Sequence, residues 1–166
     1  MSNNANATNQ ISTTRQFVLT VLQGVDDGLW FRMPSEGVTH IAWQVGHLAV
    51  AHYRLGIVRL REARPEDAAW FPADFIQMFG QGTTPVADPT AYPSVEEIRN
   101  VFNAVHEHVL LELPSYTDEQ LEAPSLIPHP LYTKKIDSLW WCSRHEAMHA
   151  GQIALLKRLL GLPARW

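Results

Sequence analysis

One cysteine, Cys142, is the only thiol in this chain. That excludes an internal disulfide framework and a structural zinc site built from cysteines. Long apolar runs are missing as well. No stretch approaches the ~18 to 20 consecutive apolar residues of a membrane-spanning helix, so no membrane partner is expected. Basic charge is also scarce: 13 Lys and Arg stand against 17 Asp and Glu, for a net charge of −4. Binding a phosphate backbone calls for the opposite sign, gathered on one element, so nucleic acid is not an expected partner. Met1 to Gln10 lack the basic start and apolar core of a secretory signal and read as a disordered polar tail. The remainder, residues 11–166, is expected to be one cytoplasmic domain, its core supplied by a chain that is 46% hydrophobic and 18% charged.

What is present is helical periodicity. From about Thr13 to Trp30, the residues Phe17, Val18, Val21, Leu22, Val25 and Leu29 form one apolar stripe. Met33-Pro34-Ser35-Glu36-Gly37 breaks that helix. A second is expected from a cap at Thr39 to about Arg64, before Pro65, and it is apolar on two flanks, as a central helix is. Ser94-Val95-Glu96-Glu97 is a capping box that opens a third helix with the stripe Ile98, Val101, Phe102, Val105 and Val109, ending at Pro114. The fourth runs from Asp137 or Ser138 to Leu160, where Gly161 and Pro163 stop it. No alternating strand pattern is visible, so the expected fold is all-α, a four-helix bundle.

The connections refine that expectation. Nearly thirty residues separate Arg64 from Ser94, enough to cross back over a second helix of roughly 40 Å. Helices two and three then lie parallel, in an up-down-down-up order. Trp70, Phe71, Phe75, Met78, Phe79 and Tyr92 make this crossover apolar enough to pack, around a short helix near Pro72 to Phe79. The second connection, Ser115 to Ile136, holds Pro124, Pro128 and Pro130 and a helical turn capped at Thr117. Both are placed to roof a pocket at one bundle end.

The chemistry lies in Arg144-His145-Glu146-Ala147-Met148-His149-Ala150-Gly151-Gln152. Two imidazoles four apart share a helix face and can grip one ion. The string also matches H-E-x-x-H of the zinc proteases. Such a site needs a further ligand downstream, and Ala150 to Trp166 hold no His, Asp, Glu or Cys. The protease reading fails there, and a third ligand has to come from upstream. His47, in Gly46-His47-Leu48, sits between the two apolar flanks of the second helix and is the preferred candidate. His40, seven residues earlier on nearly the same face, is the alternative.

Gly-His-Leu on the second helix and His-x-x-x-His-x-Gly-Gln on the last, with the chain length, the long crossover and the ending Gln152 to Gly161, resemble the DinB-like superfamily of bacterial four-helix metal proteins. The likeness covers essentially all of the chain after the tail, and its specific part is the two short motifs. Carried over residue by residue, it implies a metal triad of His47, His145 and His149 holding one divalent ion, zinc or nickel most often, with solvent completing the coordination. It also implies the up-down-down-up topology, a homodimer, and metal-dependent hydrolysis of a small-molecule substrate or transfer to a low-molecular-weight thiol.

The donor chemistry agrees with a catalytic form of site. Three neutral imidazoles leave the ion's charge uncompensated and its other positions open, the condition for activating a bound water or thiol. They do not choose among Zn, Ni, Fe, Co and Mn. Glu146 is rotated ~100° from His145 and points either beside the metal as general base or at solvent. Gln152 shares the face of both helix-four histidines and can hydrogen-bond a ligand or a bound water. Cys142 shares it too and reads as a small buried thiol. Trp43 and Trp141, each four residues before a histidine, are aromatic walls of the site or core packing. Arg54 meets an anionic substrate or a carboxylate of the fold. His52, His106, His108 and His129 fit no ligand spacing. The rival to an enzyme is a metal-dependent small-molecule binding or stress-associated protein without turnover, and the orientation of Glu146 bears on that choice.

Overall fold

Ser2 accepts a hydrogen bond from the Ala5 amide and starts α1 (Asn3–Leu22). A computed structural model describes residues 2–163. Met1 of the expected tail, and Ala164, Arg165 and Trp166 at the end of the expected domain, lie outside the described residues. The expected tail is therefore helix from Asn3 onward, some ten residues before the expected start near Thr13. Tertiary hydrogen bonds explain the difference. Asn4 Nδ2 donates to the carbonyls of Leu113 and Tyr116 at 2.7 and 2.9 Å, and Asn3 Nδ2 donates to Glu122 at 2.9 Å, while Ala7 and Ile11 are buried. The helix also ends early, at Leu22, because Gly24 takes a φ of +73° that ordinary residues avoid. Asp27–Leu29 form only a short 3-10 turn capped by Asp26.

The second helix, α2 (Ile41–Tyr53), is capped by His40 rather than Thr39: Nδ1 of His40 accepts from the Trp43 amide at 3.1 Å. It does not run on to Arg64 as a regular α-helix. Arg54–Val58 widen into a π-helical turn, closed by a bond from the Arg59 amide to the Arg54 carbonyl at 3.2 Å. Gly56 lies in that turn against the expected third helix, where a Cβ would stand 2.7 Å from Val109 Cγ2. The expected central position of α2 holds: Ile41, Val45, Leu48, Ala49 and Val50 are all buried.

In the crossover, Phe71, Phe75 and Phe79 are buried, the last two belonging to the short helix α3 (Phe75–Phe79) packed on α2. Then α4 (Val95–Glu112) opens on the expected box, with Ser94 Oγ accepting from the Glu97 amide and the Glu97 carboxylate accepting from the Ser94 amide. Thr117 caps α5 (Asp118–Glu122) in the same way. The long α6 (Lys135–Leu159) stops where Gly161 takes a φ of +80°.

Between α5 and α6 lies a two-stranded antiparallel hairpin, β1 (Pro124–His129) and β2 (Tyr132–Lys134), where no strand was expected. Its two prolines argue against a strand, but a short edge ribbon tolerates them. The hairpin is tied to the end of the π turn by a bond from the Leu126 amide to the Arg59 carbonyl at 3.1 Å. Overall the chain is mostly helical, 65%, with six α-helices and this one small sheet among the described residues. α1 packs along α6, and α2 packs against both α4 and α6. That contact brings His47 to the histidines of α6. No helix among the described residues is long and apolar enough to cross a membrane.

Candidate metal centre

Helix periodicity puts His145 and His149 on one face of α6, and the packing of α2 on α6 sets His47 opposite them. The three rings have centroids 4.5 to 5.2 Å apart, and a nitrogen of each lies within 4.8 Å of the other two. His47 and His149 are buried and His145 is half-buried. The cluster is close enough to hold one ion.

Two of the rings are oriented by outer hydrogen bonds. Nδ1–H of His47 donates to the Phe79 carbonyl at 2.7 Å, and Nδ1–H of His149 donates to Gln44 Oε1 at 2.5 Å. In both, Nε2 is the nitrogen left with a lone pair for a metal, the usual device for fixing tautomer and ring direction. Gly46 makes the first bond possible. A Cβ at Gly46 would stand 2.5 Å from the Phe79 ring, so only glycine lets α3 approach closely enough for its carbonyl to reach His47. Trp43 stacks on His47 with centroids 4.7 Å apart, and its indole N–H donates to Thr83 Oγ1 at 2.9 Å. Trp43 thus packs against the core and on one candidate ligand, while Trp141 lines the cavity beside the cluster.

Burial governs the charge of the site. Desolvation is the largest influence on all three imidazoles. It lowers His47 from its ordinary value, takes His145 to about 4, and takes His149 to about 3, helped by repulsion from neighbouring imidazoles. All three are neutral at neutral pH, the protonation state a metal ligand needs. Three neutral nitrogens, two of them aimed by hydrogen bonds, fit a divalent ion of borderline softness.

A cavity of about 400 Å³ opens beside His47 and His145. Its walls include Trp141, Arg54, Arg59, His129 and Tyr132. His129 stacks on Tyr132 with centroids 4.0 Å apart, so the proline-flanked loop does face this pocket. Arg54 is exposed in the lining and has no ion-pair partner among the described residues.

Several expected roles are corrected. Glu146 faces neither the histidine cluster nor solvent. It is 1% exposed, and its Oε1 accepts from Arg15 Nε at 2.5 Å; Arg15 also donates to the Phe102 carbonyl and lies on the Phe102 ring. Burial raises the pKa of Glu146 and lowers that of Arg15, each against the pull of the other. Arg15 Nη2 also approaches Nδ1 of His52, which burial holds neutral. Gln152 is exposed, and its expected place beside a ligand is taken by Gln44. Gln44 was legible in principle: it lies three residues before His47 on the helix and is polar within an otherwise apolar flank. His40 is no alternative ligand, because Nδ1 caps α2 and Nε2–H donates to the Val86 carbonyl at 3.1 Å. Cys142 is buried against Leu55 and Tyr132, and burial pushes its thiol upward. Of the other histidines, His106 meets His52 edge-on and His108 stacks on Trp70.

With that geometry in place, a family model described as the DinB superfamily matches residues 10–153. No curated protein matches the chain.

Proposed function

Since the chain belongs to the DinB superfamily, we propose that it is a metal-dependent enzyme in which His47, His145 and His149 hold one divalent ion, zinc or nickel. The reaction is transfer to a low-molecular-weight thiol, or hydrolysis, of a small-molecule substrate. The observation that carries this reading is the commitment of two Nδ1 atoms, to Phe79 and Gln44, beside a cavity whose walls supply no fourth ligand of carboxylate or thiolate type. A structural site would be closed by such a ligand.

When bound, the ion supplies Lewis-acid activation of a water or thiol. The protein's own share is orientation and exclusion. His47 and His145 border the cavity, Trp43 and Trp141 flank them, and Arg54 provides positive charge at the wall. The reading extends to an up-down-down-up bundle formed by the four long helices, and to a homodimer in the cytoplasm. The support for a dimer is the exposure of Met148, Leu155 and Leu159 at 51, 48 and 55%, spaced along α6 so as to share a face.

Metal analysis of untagged protein is the first test. Stoichiometric metal, lost in His47→Ala, His145→Ala and His149→Ala, supports the site; unchanged metal in all three sinks it. A panel of thiols and electrophiles then separates the reactions. Thiol-dependent conjugation marks the transferase, and turnover of esters or amides without thiol marks the hydrolase. A second reading, a metal-dependent binding protein without turnover, is favoured by one feature: among the described residues, no carboxylate lines the cavity to serve as general base. Tight binding with no chemistry across the panel would establish it.

A further inference from the structure

The arginines of the cavity beside the histidines have a second face. A second cavity, of about 590 Å³, adjoins it and shares Arg54 and Arg59 as lining residues. Each has the size of a small-molecule site, roughly 300 to 1,000 Å³. Their walls differ in character. The first carries imidazole, indole and phenol groups, whereas the second is walled mainly by apolar side chains such as Val58, Ala68, Phe71, Ile76 and Ile127.

The shared wall is cationic, and Arg64 adds a further guanidinium on the side of the second cavity. Arg54 and Arg59 line both cavities; burial first, and then the Arg54 charge, holds Arg59 below its ordinary value, yet neither forms an ion pair among the described residues. Arg59 is held in place instead: Nη1 donates to the Ile127 carbonyl and the guanidinium lies 4.5 Å over the Tyr132 ring. Among the described residues, the only carboxylate lining either cavity is Asp67. It is already spent on two bonds from Arg61, at 2.8 and 3.0 Å, one from the Tyr53 hydroxyl and one from the Arg64 amide. Two fixed or neighbouring cations with no anion to meet them, at the seam between a polar and an apolar chamber, describe a receptor for a molecule with one anionic end.

We propose that the two cavities form one site for a small amphipathic carboxylate, whose anionic group lies between Arg54 and Arg59 and whose apolar body fills the chamber walled by Val58, Ala68, Phe71 and Ile76. The proposal rests on the metal-site reading above, because it names the substrate class that this site takes. Guanidinium suits a carboxylate through paired N–H donors. The apolar chamber then discriminates by length.

Calorimetric titration of the full chain, both metal-loaded and metal-free, with octanoate, octanol and butanoate tests this. Octanoate is expected to bind at least about tenfold more tightly than octanol, as a charge-assisted bond implies, and more tightly than butanoate. Arg54→Gln and Arg59→Gln each lower octanoate affinity about tenfold and leave octanol unchanged. Ala68→Trp, at an exposed position of the chamber wall, abolishes the preference for octanoate over butanoate. Equal binding of octanoate and octanol overturns the proposal, as does undiminished octanoate affinity in either arginine variant or a preserved chain-length preference in Ala68→Trp. So does selectivity that vanishes on metal removal, since the anion site would then be the metal. Neither arginine belongs to the triad, so both variants keep wild-type metal content. Absence of metal from the wild type counts against the metal reading alone.

Discussion

Phe79 serves His47 twice: its carbonyl accepts the imidazole Nδ1–H at 2.7 Å, and its ring lies where a side chain on Gly46 would be. One residue of the crossover thereby fixes both the tautomer of a candidate ligand and the distance at which α3 packs on α2. Gly46→Ala forces the ring outward. The expected result is a loss of about 1 to 3 kcal/mol from overpacking and about 10- to 100-fold in metal affinity. Chelator competition and thermal melts of the same sample read the two effects.

Gln44 isolates the outer-shell effect from packing at α3. Gln44→Ala removes the acceptor for His149 Nδ1–H and is expected to weaken metal binding about 10- to 100-fold. Gln44→Glu, which keeps an acceptor oxygen, retains most of the affinity. Equal affinity in wild type and Gln44→Ala, measured by competition, would remove Gln44 from the site.

Glu146 is expected to behave as a structural anion. In Glu146→Gln, Arg15 stays buried without its counter-charge, at a cost of about 3 to 5 kcal/mol. Replacing both partners by apolar residues of similar volume, as in Arg15→Met with Glu146→Leu, restores much of that loss. Urea denaturation measures both. Turnover per folded molecule is expected to persist in Glu146→Gln, and its collapse would return this carboxylate to catalysis.

Acid should unfold the metal-free protein early. His149 and His106 are lowered to about 3, and His145 and His40 to about 4, in each case mainly by burial. Their ordinary value is 6.5. Below that value the unfolded chain binds protons that the folded chain refuses. The stability these neutral rings confer is therefore complete above pH ~6.5 and declines as pH falls toward 4 to 3, by at most about 1.4 kcal/mol per unit for each ring. Partial exposure of His106 reduces its share. Melting temperatures at pH 7, 6 and 5 are expected to descend in that order, and a flat profile would contradict the burial.

Association through α6 is open to direct measurement. Light scattering behind size exclusion is expected to give twice the chain mass, and Met148→Lys with Leu155→Lys to give the single mass with an unchanged melting profile at low concentration. A monomeric wild type removes the proposed interface.

Local rules carried the sequence reading a long way. Ser94 with Glu97, Gly161 after α6, and the spacing of His145 and His149 each express a rule confined to a few neighbouring residues, and each was legible. His47 was legible because α2 is apolar on two sides and so had to be inside. What escaped depends on distant partners. Asn3 and Asn4 become helical through bonds to residues more than a hundred positions away, and Glu146 is buried because Arg15 arrives on another helix. Gln44 needed the register of α2 against α6, and the hairpin at Pro124 needed the Arg59 carbonyl beside it.

The π turn at Arg54–Val58 gives the wall between the two cavities a separately adjustable part. In a regular α-helix, residues five apart differ by about 140° around the axis. Here the bond between Arg59 N and Arg54 O spans that interval, bringing two side chains that would otherwise diverge onto one wall. The extra residue lies beyond His47 in the chain, so deleting it would swing Arg59 away and leave the histidines in register. The arginine wall and the histidine cluster would then vary independently, through a single insertion or deletion at the end of one helix.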